Sequence, residues 1–277
     1  MSQNTNFLKV KEFNEVFGHP APNTKQKDIF ETQPTVVKLR NNLINEEFSE
    51  LLEAFQDKNL VEIVDALSDI LYVAYGLQVV YGVDGDQQFR INLQAKIDAQ
   101  NETGDEQISL DPKAKTNFQL TRSFCSRFFG DLIIGAENCK PSTFFCEDDT
   151  RRLTVFNTFI LDFENELNYL AKATDSCDFD SVISTTSNLI YLTYVLGLLF
   201  GVDLDVGVDL VHKSNMSKLC VSEEEANKTV EWYLTNEKRY DTPKFRQNSK
   251  GFVIFNASTG KILKNINYKP VDLTSLV

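Results

Sequence analysis

Apolar positions recur at three- and four-residue spacing in two blocks of the chain, residues 36–81 and 153–200. That period lays them along one face of a helix, and a short polar stretch divides each block in two. In the first block Leu39, Leu43, Phe48, Leu51, Leu52 and Phe55 supply an apolar face, and a polar turn follows at 56–59. A second helix then carries Ile63, Leu67, Ile70, Leu71 and Val73. Each block therefore predicts a helical hairpin. Residues 222–238 predict one more helix, with Ser222 as N-cap and Glu225 as its capping-box partner. The period changes in the tail, where 252–255 and 261–264, separated by 256–260, predict a small β-hairpin packed on the helices.

The two blocks also resemble each other. Tyr72 and Tyr191, Tyr75 and Tyr194, and the Gly-Val-Asp triplets beginning at Gly82 and Gly201 are each 119 positions apart. Upstream, Glu50-Leu51 matches Glu166-Leu167 at an offset of 116, which predicts a connection three residues longer in the second hairpin. Phe13 and Phe17-Gly18 are echoed by Phe124 and Phe128-Phe129-Gly130. We read a diverged tandem duplication. Residues 101–115, rich in Asp, Glu, Gly, Thr and Lys, have the composition of a surface linker, so the domains are expected at 1–105 and 106–277.

Composition narrows the ligand. With 277 residues, 42% hydrophobic and 25% charged, the chain has the profile of a soluble globular protein of about two units. A net charge of −12 and the lack of a basic stripe disfavour a nucleic-acid polymer, but not a nucleotide whose phosphates are screened by divalent cations. Cys125, Cys139, Cys146, Cys177 and Cys220 form an odd set without a CxxC pair. They predict neither a disulfide framework nor a zinc site, and favour a reducing, intracellular (cytoplasmic) location. No secretory signal is visible, and the most apolar run, 189–200, is too short to span a bilayer, so no membrane partner is expected.

The candidate chemistry is acidic. Glu46, Glu47 and Glu50 lie on the first long helix, and Glu62, Asp65 and Asp69 on the second, at spacings that put each set on one face. Acidic residues so spaced usually form a solvated face. Here the second set is embedded among Val61, Ile63, Val64, Leu67, Ile70 and Leu71, and no Lys or Arg occurs from 60 to 88. Carboxylates brought together in such a setting require a cation, and Mg²⁺, with Mn²⁺ as an alternative, suits an open site of few carboxylates.

Arg40-x-x-Leu43-Ile44-x-Glu46-Glu47-x-x-Glu50-Leu51, followed by Glu62-Ile63-Val64-Asp65-Ala66-Leu67-Ser68-Asp69-Ile70-Leu71-Tyr72-Val73, resembles the all-α nucleoside triphosphate pyrophosphohydrolase superfamily. That group includes MazG-like proteins, dimeric dUTPases and phosphoribosyl-ATP pyrophosphohydrolases, and the likeness is greatest to the last branch. The resemblance covers the first hairpin well and the second in outline. It implies an all-α fold of tandem MazG-like helical-bundle repeats with a small C-terminal β-hairpin. The family motif is ExxE on one helix and ExxD on the next. Glu47-x-x-Glu50 fits the first part. For the second, Glu62-x-x-Asp65 fits the letters, whereas anchoring on Ile-Leu-Tyr selects Asp69 and leaves Ala66 in place of Glu. Both registers stay open, so Glu47, Glu50, Glu62, Asp65 and Asp69 are all candidate metal ligands.

At the 119 offset Glu62, Asp65 and Asp69 become Ser181, Ser184 and Asn188, while Asp162 and Glu166 persist, so the second half is expected to be catalytically silent. It keeps instead 211–218, which resembles the family segment that offers polar and cationic groups to the nucleotide; the matching stretch 89–96 has lost that wording. The resemblance implies Mg²⁺-dependent hydrolysis between the α- and β-phosphates of a (deoxy)nucleoside triphosphate or related nucleotide, giving the monophosphate and pyrophosphate. One of Glu46, Glu47 and Glu50 would act as general base, and Arg40, Lys213 and Lys218 would hold phosphate. Asn215 would contact sugar, base or phosphate. His212 receives no role, and Tyr72, Tyr75, Tyr191 and Tyr194 read as core. Rival readings are a phosphoribosyl-ATP pyrophosphohydrolase and a catalytically weakened nucleotide-binding regulator. Single-copy relatives assemble as dimers or more, so a homo-oligomer is also expected.

Overall fold

Helices occupy most of the computed structural model, which describes residues 5–103, 107–134, 144–145 and 150–277. In chain order they are α1 (Asn6–Phe17), α2 (Ile29–Thr32), α3 (Pro34–Gln56), α4 (Leu60–Val80), α5 (Gly85–Thr103), α6 (Asn117–Ile134), α7 (Thr150–Asp175), α8 (Phe179–Phe200), α9 (Leu204–Met216) and α10 (Glu223–Asn236). Strands β1 (Pro243–Gln247) and β2 (Phe252–Asn256) form one antiparallel pair. The fold is all-α with a C-terminal β-hairpin. Cys139, Cys146 and the expected boundary at 105/106 lie outside the described residues; the linker itself starts later than expected, because α5 continues to Thr103.

The two predicted helical hairpins are α3–α4 and α7–α8. Asn59 caps α4 by accepting from the Glu62 amide at 3.4 Å, and Asp178 caps α8 by accepting from the Ser181 amide at 3.1 Å. Lys58 and Cys177, also 119 apart, both adopt the left-handed conformation one residue earlier, with φ of 53° and 55°. The three extra residues of the second hairpin do not lengthen its connection. They lengthen its first helix: α3 has 23 residues and α7 has 26, while 57–59 and 176–178 are the same size. Nearly one more helical turn keeps intrahelical hydrogen bonds satisfied, which a longer loop would not.

α4 and α8 pack together at the centre, and one continuous apolar core runs from Phe7 through both hairpins to Leu273. The run 189–200 belongs to the 22-residue α8, which, like α4, is long and apolar enough to cross a bilayer. Both helices are instead buried against their neighbours as core elements. Phe48 stacks on Phe163 with centroids 4.5 Å apart and Phe55 on Phe156 at 4.1 Å, joining α3 to α7. Leu39, expected on the apolar face, is half exposed; Val37 and Ile44 take the buried positions.

A polar network crosses this core. The hydroxyls of Tyr75 and Tyr194 meet at 3.0 Å. The Asn117 amide donates to Tyr75 and to Asp86, both at 2.9 Å, and the Asn6 amide donates to Tyr194 at 3.1 Å and to Asp205 at 2.8 Å. Thr5 bonds Asp86 as Thr116 bonds Asp205. Each residue of one half thus has its counterpart in the other, 111 or 119 positions on. Such groups are buried at tolerable cost because nearly every donor has an acceptor.

The tail departs from expectation. Ser222 caps α10 as predicted, accepting from the Glu225 amide at 3.2 Å. The partner of β2, however, is 243–247 upstream, with Phe245 opposite Ile254. Residues 261–264 add only an isolated bridge at Ile262. β1 escaped the periodicity because Lys244, Arg246 and Gln247 are polar, as an edge strand permits. The hairpin docks on the end of α1, where the Asn248 amide donates to the Val16 carbonyl at 2.6 Å and Arg246 donates to that of Phe17.

Candidate active site

Burial of Ile63, Leu67, Ile70 and Leu71, all inaccessible, fixes the roll of α4 and leaves Glu62, Asp65 and Asp69 along its margin facing α3. Glu47 and Glu50 on α3 meet that margin. Glu47 feels the charges of Glu50, Asp65 and Glu46, and Asp69 feels those of Asp65, Glu47 and Glu50. Glu46 and Glu62 are exposed at the edges of the group; Glu62 acts on Asp65. No ion pair reaches Glu47, Glu50, Asp65 or Asp69 among the described residues.

Burial, and secondarily the charges of Glu50, Asp65 and Glu46, pushes the Glu47 carboxyl up to about 7. Burial and then Glu62 and Glu50 raise Asp65, and burial followed by Asp65 and Glu47 holds Asp69 well above the usual carboxylate range. As placed, no three His, Cys, Asp or Glu side chains among the described residues form a group that could hold a metal ion unaided. The donor set nonetheless fits Mg²⁺, which takes one or two carboxylates plus waters and phosphate oxygens rather than a protein cage. Asp65 Oδ1 is buried without a hydrogen-bond partner, an arrangement that a cation would relieve.

These shifts predict a pH dependence. The folded state holds the Glu47 proton more tightly than the unfolded chain between about 4.5 and 7, so this group's effect on stability worsens as pH rises through that window. In EDTA, the melting temperature of the wild type relative to Glu47→Gln should fall from pH 5 to pH 7.5, and Mg²⁺ should recover part of the loss. Taking the difference cancels His19 and His212, whose lowered pKa values act in the opposite sense. A difference that is flat with pH would contradict the buried acid cluster.

The cationic candidates are distributed unequally. Lys218, just beyond α9, is largely buried and close enough to Asp69 for each to stabilise the other's charge, and it donates to Asn215 Oδ1 at 2.6 Å. Asn215 bonds the Tyr72 hydroxyl, which also meets His212 Nδ1 at 3.1 Å. α9 of the second half thereby covers α4 of the first. Lys213 is not brought there: it is exposed and paired with Asp209 at 2.5 Å, one helical turn away. Arg40 is buried, lowered by that burial to about 10, and its Nε lacks a partner. Its guanidinium lies over the α4 backbone where Gly76 has no side chain; a Cβ there would come within 2.7 Å.

Sequence reasoning missed His19 and Arg246. Burial, and then Arg40, Arg246 and Lys218, drives His19 down to about 4, so these cations surround one point beside the acid cluster. Only the docking of the C-terminal hairpin on α1 creates this neighbourhood, and no local pattern announces it.

The equivalent cleft of the second half differs in kind. Asn188 donates to Glu166 at 3.1 Å, and Lys96 of α5 stands 5.0 Å over the Tyr191 ring and draws the Glu166 pKa down against the larger effect of burial. An amide and an ammonium thus occupy the surroundings that carboxylates fill in the first half.

The family model described as phosphoribosyl-ATP pyrophosphohydrolase matches residues 10–96, which contain α3, α4 and the whole acid cluster. A protein of Acanthamoeba polyphaga mimivirus, described as uncharacterized, is 33% identical over 276 residues, covering 99% of this chain and 96% of its own. No solved structure matches.

Proposed function

Residues 10–96 belong to the phosphoribosyl-ATP pyrophosphohydrolase family, within the MazG-like all-α nucleoside triphosphate pyrophosphohydrolases, and from that we propose that the chain hydrolyses a (deoxy)nucleoside triphosphate or related nucleotide to the monophosphate and pyrophosphate. The observation that carries this reading is the meeting of Glu47, Glu50, Asp65 and Asp69 without a cation of their own, beside Lys218. Carboxylates drawn from Glu47, Glu50, Asp65 and Asp69, together with water and phosphate oxygens, would hold Mg²⁺, or Mn²⁺ in its place, which would supply positive charge against the phosphates. Of Glu46, Glu47 and Glu50, one would take the proton of the attacking water, and Glu47, buried among the other acids, is the candidate we favour. Lys218 and Arg40 bind phosphate as ammonium and guanidinium, and Asn215 orients the nucleotide through its amide.

The halves are read as copies of one unit, the first keeping the acid site and the second lending α9 to it. On this reading, Asp162→Asn and Glu166→Gln change turnover by less than about twofold, because neither belongs to the acid cluster on α3 and α4. A large loss in either would assign chemistry to the second cleft. Free cysteines at Cys125, Cys177 and Cys220 suit a reducing cytoplasm.

The decisive experiment measures pyrophosphate release from canonical and modified triphosphates and from phosphoribosyl-ATP, in Mg²⁺ and in EDTA. Metal-dependent release with the matching monophosphate supports the proposal. Preference for phosphoribosyl-ATP would favour the second reading, which the description of the matching family model suggests. Nucleotide binding without release would sink the catalytic reading.

A further inference from the structure

Next to Lys218, a cavity of about 640 Å³ opens between α10 and the C-terminal segment. Its lining includes Lys218, Trp232, Tyr240, Lys261, Lys264 and Tyr268. The volume is in the range of small-molecule sites. Arg239 also lines it, but its charge is answered by Glu237 at 3.2 Å. Lys218, Lys261 and Lys264 have no carboxylate in an ion pair among the described residues. Lys264 Nζ lies 4.5 Å from the centre of the Tyr268 ring and Lys261 Nζ 5.8 Å from that of Tyr240, so each ammonium has an aromatic face on one side, and both residues are exposed.

Three cations within mutual reach are unfavourable in themselves, and in a chain of net charge −12 their concentration at one place demands an anion of matching extent. Lys218 feels the charge of Asp69 in the acid cluster and those of Lys261 and Lys264, with which it lines the cavity. A ligand that answers all three ammonium groups carries several negative charges close together, which describes a condensed phosphate better than a single carboxylate or a nucleobase.

We propose that this cavity is a condensed-phosphate subsite, in which Lys218, Lys261 and Lys264 hold the pyrophosphate end of the nucleotide while the bond to be cleaved lies at the acid cluster. The identity of the ligand rests on the pyrophosphohydrolase reading; the grouping of the lysines does not. One consequence is inhibition by the product, because free pyrophosphate fits the same three ammonium groups.

Trp232 is the chain's only tryptophan, lines the cavity and is 46% exposed, so its emission reports on occupancy. The test titrates the full chain with inorganic pyrophosphate and, separately, a nucleoside monophosphate in EDTA, by Trp232 emission and by calorimetry. Saturable binding of pyrophosphate is expected in the wild type and in Glu47→Gln. The Lys261→Ala/Lys264→Ala double variant, altered at two exposed positions that leave the fold intact, should bind about tenfold or more weakly and show a similarly raised KM. Pyrophosphate that gives neither heat nor emission change, or binds the double variant as well as the wild type, overturns the subsite. So does monophosphate binding in its place. If pyrophosphate binds through the lysines but no nucleotide is cleaved, the catalytic reading fails and the anion site stands. If nucleotide is cleaved with an unchanged KM in the double variant, the subsite fails and the catalytic reading stands.

Discussion

Glu47→Gln should release pyrophosphate about 10²- to 10⁴-fold more slowly than the wild type at saturating Mg²⁺, the usual cost of losing a general base. The change keeps the shape of the side chain and removes one negative charge from a group of carboxylates that repel each other. Two opposite effects therefore belong to one substitution. Activity falls, while the metal-free protein melts higher, because the remaining Glu50, Asp65 and Asp69 are relieved of a neighbour. Steady-state assays and calorimetric melting in EDTA read the two effects separately, and undiminished Mg²⁺-dependent turnover would end the assignment. Glu62→Gln serves as the comparison: Glu62 is exposed on the first turn of α4, and its loss should cost little if the second motif is anchored on Asp69.

Phe163→Ala should lower stability by about 3–5 kcal/mol, which for a chain of this size is a fall in melting temperature of about 6–20 °C. Phe163 is inaccessible and stacks nearly parallel on Phe48, the residue next to Glu47. Truncation removes the ring, leaves a cavity between α3 and α7, and takes away one of the two ring stacks that join these helices. The loss arises in α7, outside the two helices that bear Glu47, Glu50, Asp65 and Asp69. Below its transition the variant should keep most of its kcat, since no charged group has changed. A melting temperature within a degree of the wild type would mean that α3 does not depend on α7 for its place.

The parts of this structure that sequence could reveal are those governed by near neighbours along the chain. Helical hairpins follow from apolar spacing, caps from Asn59, Asp178 and Ser222, and the grouping of Glu47/Glu50 and Glu62/Asp65/Asp69 from the helical repeat. What escaped depends on packing between distant segments. Leu39 has the character of a core residue but sits on the wrong side of a helix whose roll is set by α7 and α4. The strand 243–247 was hidden by its polar side chains, and its pairing with 252–256 had to compete with an equally plausible turn at 256–260. Lys213 and Lys218 are indistinguishable as letters; five positions on a helix and its exit send one to Asp209 on the surface and the other to Asp69. Arg40, His19 and Arg246 converge only because the C-terminal hairpin folds back on α1.

The hydroxyl pair of Tyr75 and Tyr194, with its mirrored asparagines and aspartates, has a consequence for dilution. Two separate chains that completed each other's clefts through such a network would come apart as their concentration fell, and activity per molecule would fall with it. Here both partners are joined in one polypeptide, so α9 meets α4 at an effective concentration that is a property of the chain. The union of the two halves should then survive dilution from micromolar to nanomolar protein, whatever further association the chain undergoes.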